Sequence, residues 1–246
     1  MPKRGSLHIG TSGWHYKHWL GPFYPEGTRP AAMLEHYAAQ FSAVEINNSF
    51  YKLLSPKALE QWRRIVPDDF VFTAKGSRFL THMRKLKDTG QGIDRYFERT
   101  SALGDKLKAV VFQLPPRWGC NAERLDAFLA ALPSGYRYAV ELRDESWFDE
   151  AVYAVLRRHA AAFCIYDIAG RRSPEIVTTD LVYLRLHGPA EQAYQGSYSG
   201  QRLAALARRL DAWRREGRDC YVFFDNDAEG NAPRDALRLR RLTEKR

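Results

Sequence analysis

Six ionisable residues, Glu45, Lys75, Glu141, Arg143, Arg185 and His187, fall at or near the ends of short apolar stretches, where side chains able to move protons or hold anions would gather. Glu45 and Glu141 form a carboxylate pair of the kind that divides general-acid and nucleophile or base roles. Lys75, followed by Gly76-Ser77, offers an amine for Schiff-base chemistry or a clamp for phosphate or carboxylate. His187 can act as acid, base or ligand because an ordinary imidazole titrates near neutrality, and His82, in the stretch 79–84, is a second candidate. Arg143 and Arg185 would hold an anion. Asn47, Gln113, Asp167 and Asn226 would orient polar groups, and Trp14 and Tyr16, crowded with Trp19, Phe23 and Tyr24, would stack on a sugar or base or else form a small cap core.

Each assignment has a structural competitor. Buried charges need partners, so Glu141 and Arg185 could instead make an interior ion pair, and Lys75 could pair with a nearby carboxylate. A metal site built from Glu45, Glu141, Asp167, His187 and Asp225 is disfavoured by Lys75, Arg143 and Arg185, which would repel a cation. No metal and no cofactor are expected. Neither GxGxxG nor GxxxxGK[ST] occurs, which removes support for dinucleotide and P-loop chemistry.

The elements that must position these groups are eight short strands at 8–12, 44–47, 71–75, 110–113, 140–143, 164–167, 183–187 and 222–226. Side chains alternate faces along a strand. That parity sets Ile46, Phe72, Ala74, Phe112, Leu114, Val140, Leu142, Leu184 and Leu186 toward helices and the polar set inward. Helical period recurs at 31–41, 56–65, 121–132, 149–159 and 199–215, the last with a stripe of Leu203, Leu206, Leu210 and Trp213. The fold class is α/β, a single (β/α)8 barrel of the TIM type spanning residues 1–246 as one domain. Active sites of that fold lie at the carboxyl ends of the strands. The third crossover is long, its helix beginning near Ile93. The sixth, with Gly170-Arg171-Arg172-Ser173-Pro174, is too polar for a full helix, so either the barrel lacks one helix or the strand assignment fails there. The loop at 188–198 has the composition of a flexible flap.

At 246 residues, 45% hydrophobic and 27% charged, the chain has the size and composition of one ordinary globular domain. No apolar run approaches the ~20 residues of a membrane span and the N-terminus has no signal-peptide pattern, so a cytoplasmic protein without a membrane partner is expected. Cys120, Cys164 and Cys220 lack metal or disulfide spacing and read as reduced structural residues. The net charge of +9 favours an anionic partner. Yet the basic residues concentrate on helices, as in Arg208-Arg209 and Arg238-Leu239-Arg240-Arg241. Leu237, Leu239 and Leu242 would pack the last helix, leaving an arginine-rich solvated face.

The strings Gly10-Thr11-Ser12-Gly13-Trp14, Val44-Glu45-Ile46-Asn47, Phe112-Gln113-Leu114-Pro115-Pro116, Glu141-Leu142-Arg143 with Trp147, Leu184-Arg185-Leu186-His187-Gly188 and Asp225-Asn226-Asp227, in this order, resemble the YecE-like proteins, a family of unknown function. Phe23-Tyr24-Pro25 and Thr81-His82 extend the likeness over nearly the whole chain. The resemblance implies a TIM-type barrel and no assigned reaction; it also implies asparagine where this chain has Asp225, which adds a carboxylate.

These residues lead to an enzyme acting by acid/base chemistry on a small polar anion, sugar-phosphate-like or carboxylate. Hydrolase, isomerase and lyase stay undivided, because fold does not set function. The alternative is a nucleic-acid-binding protein, or a metal-dependent phosphodiesterase, using the basic surface. Oligomeric state is left open.

Overall fold

Strand and helix patterns alternate along the chain, and they fold into a nearly closed, parallel, eight-stranded barrel of the TIM type with helices between the strands. The computed structural model describes residues 3–244. The strands are β1 (Leu7–Thr11), β2 (Ala43–Ile46), β3 (Val71–Lys75), β4 (Leu107–Gln113), β5 (Arg137–Glu141), β6 (Ala161–Ile168), β8 (Leu181–Leu186) and β9 (Asp219–Phe224), with a two-residue β7 (Arg171–Arg172) antiparallel to β6. Their order is β1-β9-β8-β6-β5-β4-β3-β2. The helices are α1 (Met33–Gln40), α2 (Pro56–Ile65), α3 (Gly90–Thr100), α4 (Ala122–Ala130), α5 (Glu150–Arg158), α6 (Gly200–Arg215) and α7 (Asn231–Glu244).

Helix starts follow local chemistry. Asn121, Asp149 and Ser199 each accept a hydrogen bond from a first-turn amide of α4, α5 and α6, and Pro56 opens α2 where its missing N–H costs nothing. The third crossover carries a π-turn, Phe79–Met83, and α3 begins at Gly90, slightly earlier than the periodicity around Ile93 implies.

The chain divides into two compact units, one of residues 1–45, 165–175 and 182–246, the other of 46–164 and 176–181. In the second, β3, β4 and β5 pair in parallel, with Lys75 opposite Val111 and Gln113 opposite Glu141. The helix-facing positions behave as their parity requires: Phe112 packs edge-on against Phe128 of α4 at 4.9 Å. In the first unit, β1 pairs with β9, and a single bridge between Ser12 and Glu45 joins β1 to β2. Gly10 permits that approach, since a Cβ there would stand 2.0 Å from the Ala43 carbonyl oxygen. The inner face here is aromatic below the polar groups, with Tyr183 5.4 Å from Phe223 and His8 4.8 Å from Tyr221.

Among the described residues the sixth crossover has no helix. Side chains take over its work along β6: Ser173 Oγ accepts from the Tyr166 amide, while Thr178 Oγ1 accepts from the Phe163 amide and donates to the Ala161 carbonyl. The last helix differs from the sequence-based reading. Its buried side is Ala232, Asp235, Ala236 and Leu239, whereas Leu237 and Leu242 are only half-buried.

Candidate functional site

The strand ends of the first unit hold a closed ion-pair network. Glu45 accepts both carboxylate contacts of Arg185, at 2.7 Å from Nη2 and 3.0 Å from Nε, and also the Tyr183 hydroxyl at 2.7 Å and the Ser12 hydroxyl. Arg185 Nη2 reaches Asp225 at 3.3 Å as well. His187 Nδ1 lies 2.9 Å from Asp225 Oδ2, and its Nε2 lies 3.4 Å from Arg185 Nη1. A guanidinium only donates, so Nε2 accepts and the proton sits on Nδ1, toward Asp225. Glu45, Arg185 and His187 have no exposed surface. A pair this enclosed orients strand ends. Asp225, the departure noted in the sequence, is therefore the shared acceptor of Arg185 and His187.

Two assignments move. Asp167 leaves the barrel interior: parity puts Cys164 inward, against Glu141 Oε2 at 3.9 Å, and so turns Asp167 to the outer face, where it pairs with Arg202 of α6. There it borders a cavity of about 310 Å³ with Leu184, Leu186 and Leu206, in the space the absent helix leaves. Burial raises its pKa despite Arg202 and Arg172. Asn226 also turns away, its amide nitrogen donating to Gly196 O at 2.8 Å and to Asp235 at 3.0 Å. Asp235, which periodicity gave no reason to single out, is buried and also accepts from Ser197 and the Tyr198 amide.

The loop expected to be a flap is thereby pinned. Tyr198 is buried, its hydroxyl accepts from the Gly188 amide, and the Tyr194 amide donates to the His187 carbonyl. The first-loop aromatics pack as a cap core: Trp19 and Tyr24 are fully buried, Phe23 meets Tyr37 of α1 at 6.1 Å, Trp14 is buried, and the half-buried Tyr16 hydroxyl donates to Ser12 O.

The second unit carries a different cluster. Lys75 Nζ stands 4.2 Å above the Phe50 ring, and the same ring meets His82 at 5.0 Å. Backbone around Lys75 is held by Ser49 and Tyr96, whose hydroxyls donate to its carbonyl. Gly76 follows because any Cβ there would enter the Phe112 ring, 2.2 Å away. Glu141 pairs with Arg143, and Gln113 stands beside Glu141 in register. Asn47 Oδ1 is buried without a hydrogen-bond partner among the described residues, a state that a ligand donor would relieve. Lys75 and Gln113 keep slight exposure, and Asn47, His82 and Arg143 are half-buried.

Burial, together with the charges of Lys75, Arg78 and Arg143, pushes His82 from the ordinary 6.5 down to about 4; Glu141 opposes this. The unfolded chain thus takes up this proton first. The contribution of His82 to stability is complete above about pH 6.5 and is lost as pH falls toward 4. A proton NMR titration should find the His82 midpoint near 4, and His82→Gln should flatten the stability profile between these limits. A midpoint at the ordinary value would show that neither burial nor the three cations act on this ring.

Among the described residues no group of three or more His, Cys, Asp or Glu side chains is placed to hold a metal. Glu45 and Asp225 are instead engaged by Arg185, and Asp167 lies on the outer face. The arginine-rich helices carry many local pairs, including Arg215 with Asp211, Arg209 with Glu175 and Arg240 with Glu244. No helix among these residues is long and apolar enough to cross a membrane.

The model of a family described as "Protein of unknown function DUF72" matches residues 8–246. The chain belongs to the DUF72 family. Relatives include the UPF0759 protein YunF of Bacillus subtilis, 24% identical over 92% of this chain and 90% of that protein. The UPF0759 protein YecE of Escherichia coli is 29% identical over 58% of this chain, and the match spans half the length of YecE. A solved DUF72 structure from Thermotoga maritima superposes with a TM-score of 0.89 at 31% identity, covering 97% of this chain and 99% of that one. An Enterococcus faecalis DUF72 structure, at 20% identity and a TM-score of 0.84, shares the fold over 97% of this chain and 95% of its own. The DUF72 match runs through all the strand-end motifs, and it carries no reaction with it.

Proposed function

We propose that the protein is an enzyme acting on a small polar anion, sugar-phosphate-like or carboxylate, by acid/base chemistry at the carboxyl ends of β2 to β5. The observation that carries this reading is the convergence of Lys75, Arg143 and Glu141 around a half-buried His82. Lys75 and Arg143 bind the oxyanion, the guanidinium by its planar fork and the ammonium as a point charge. Glu141 and His82 transfer protons. His82 is unprotonated at neutral pH, so it begins the cycle as the base. Asn47 accepts a substrate hydroxyl through its orphan oxygen, and Gln113 orients a second polar group. Glu45, Arg185 and His187 serve as positioning residues, because their polar atoms already face one another. Hydrolase, isomerase and lyase all use such a set. Cys120, Cys164 and Cys220 lack disulfide spacing, which accords with a cytoplasmic place of action.

Bound anion screens the cations around His82, so binding should raise its midpoint from about 4 and draw in protons. The test is a thermal-shift screen of wild type, Lys75→Ala and Glu141→Gln against sugar phosphates and organic acids. A ligand at 100 times its Kd adds about 2.7 kcal/mol. A hit lost in Lys75→Ala supports the reading. No hit, together with tight, strongly salt-dependent binding of DNA or RNA, would replace it by the nucleic-acid alternative, since phosphate contacts release counterions.

A further inference from the structure

The segment linking β3 to α3 holds a cavity of about 760 Å³ that the proposed catalytic groups do not line. Its walls include Leu53 and Phe79, each 42% exposed, with Ser77, Arg84, Asp88 and Arg95. An exposed phenylalanine beside an exposed leucine is apolar surface left wet at the rim of a concavity, the usual makeup of a small-molecule pocket. Arg84 is held in place by the Lys87 carbonyl at 3.2 Å and by Asp88 at 3.4 Å. The Arg95 guanidinium makes no hydrogen bond or ion pair among the described residues. The lining therefore carries one guanidinium beyond what Asp88 neutralises.

The backbone around the cavity is unusual. Phe79–Met83 forms a π-turn, and three of the eight non-glycine residues with positive φ among the described residues lie within the next few positions: Lys85 at 47°, Leu86 at 62° and Asp88 at 50°. Left-handed conformations of such residues are unfavourable and persist where the surroundings demand them. Leu86 is buried and anchors the segment, which presents Arg84 and Asp88 to the cavity.

We propose that this cavity binds a small oxyanion carrying an apolar, aryl-sized body, at a site separate from the substrate anion at Lys75. Arg95 takes the oxyanion with Arg84 beside it, while Phe79 and Leu53 cover the apolar body. Arginine suits the role because its fork matches phosphate and carboxylate oxygens pairwise. The site begins at Ser77, two residues beyond Lys75, so occupancy bears directly on the loop that carries His82.

Phenyl phosphate is the probe, with inorganic phosphate and benzyl alcohol as comparators, titrated calorimetrically into the full chain. Phenyl phosphate should bind more tightly than either comparator. Arg95→Ala should weaken it by about tenfold, and Phe79→Ser should weaken phenyl phosphate but leave inorganic phosphate unchanged; both positions are exposed, and the melting temperature checks folding. Lys75→Ala should leave the affinity unaltered. Loss of binding in Lys75→Ala with none in Arg95→Ala would overturn this site and at the same time favour an anion at Lys75. Equal affinity for inorganic and phenyl phosphate would overturn the apolar half, and absence of binding would overturn the proposal while leaving the function proposed for the Lys75 cluster standing.

Discussion

Arg185→Met should destabilise the protein by about 3–5 kcal/mol, because it leaves Glu45 and Asp225, both buried, without their guanidinium partner. The arginine has no exposed surface, and its contacts to Glu45 are double and short. Methionine matches its length and apolar stem, so the loss reports the charge and not a cavity. Urea unfolding followed by circular dichroism should show a lower midpoint with an unchanged slope. The double variant Glu45→Gln, Arg185→Met should recover much of the loss, since it removes the uncompensated charge along with its partner. A loss under about 1 kcal/mol in the single variant would mean that the network is solvated and free for other work.

Gly10→Ala should be nearly as costly, at least about 3 kcal/mol, or should abolish soluble expression. The new methyl carbon would stand 2.0 Å from the Ala43 carbonyl oxygen and 2.9 Å from the Tyr37 hydroxyl. Neither neighbour is a flexible side-chain end. The carbonyl is backbone, and the hydroxyl accepts from the Thr11 amide and donates to Ala43 O. β1 and β2 would have to separate, breaking the bridge between Ser12 and Glu45 that joins them. Wild-type stability in Gly10→Ala would show that the two strands approach less closely than this geometry requires.

The fold was legible because the strands are short and their parity is strong. The eight strands appear near where period-2 patterning puts them, but β4, β5, β6 and β9 each start three residues earlier and β8 two, because their first residues, such as Leu107-Lys108-Ala109 and Ala161-Ala162, carry little β signal. The stretch from Gly170 to Pro174, polar and bearing glycine and proline, cannot supply an apolar stripe, which left either a missing sixth helix or a failed strand assignment; the structure decides for the first. Asp167 was misplaced for the same reason. Parity counted from the strand end put it inward, but with no helix outside β6 the outer face is open to a charged residue paired with Arg202.

Within the site, residue type and face could be read from the chain, whereas partners could not. Tyr183, Arg185 and His187 share one face by alternation, and that much was open to inference from their spacing. Which carboxylate Arg185 meets was not, because β2 and β8 are separated by about 140 residues and register between strands follows from tilt and closure. The same holds for Asp235, a helical residue whose partner Tyr198 lies in a loop 37 residues upstream. The sequence alone therefore determined the barrel and which polar residues stand near its strand ends, both encoded in local periodicity. The tertiary structure decided that Glu45, Arg185 and His187 satisfy one another while Lys75, His82, Glu141 and Arg143 form a partly exposed cationic cluster, since burial and pairing depend on distances that periodicity does not contain.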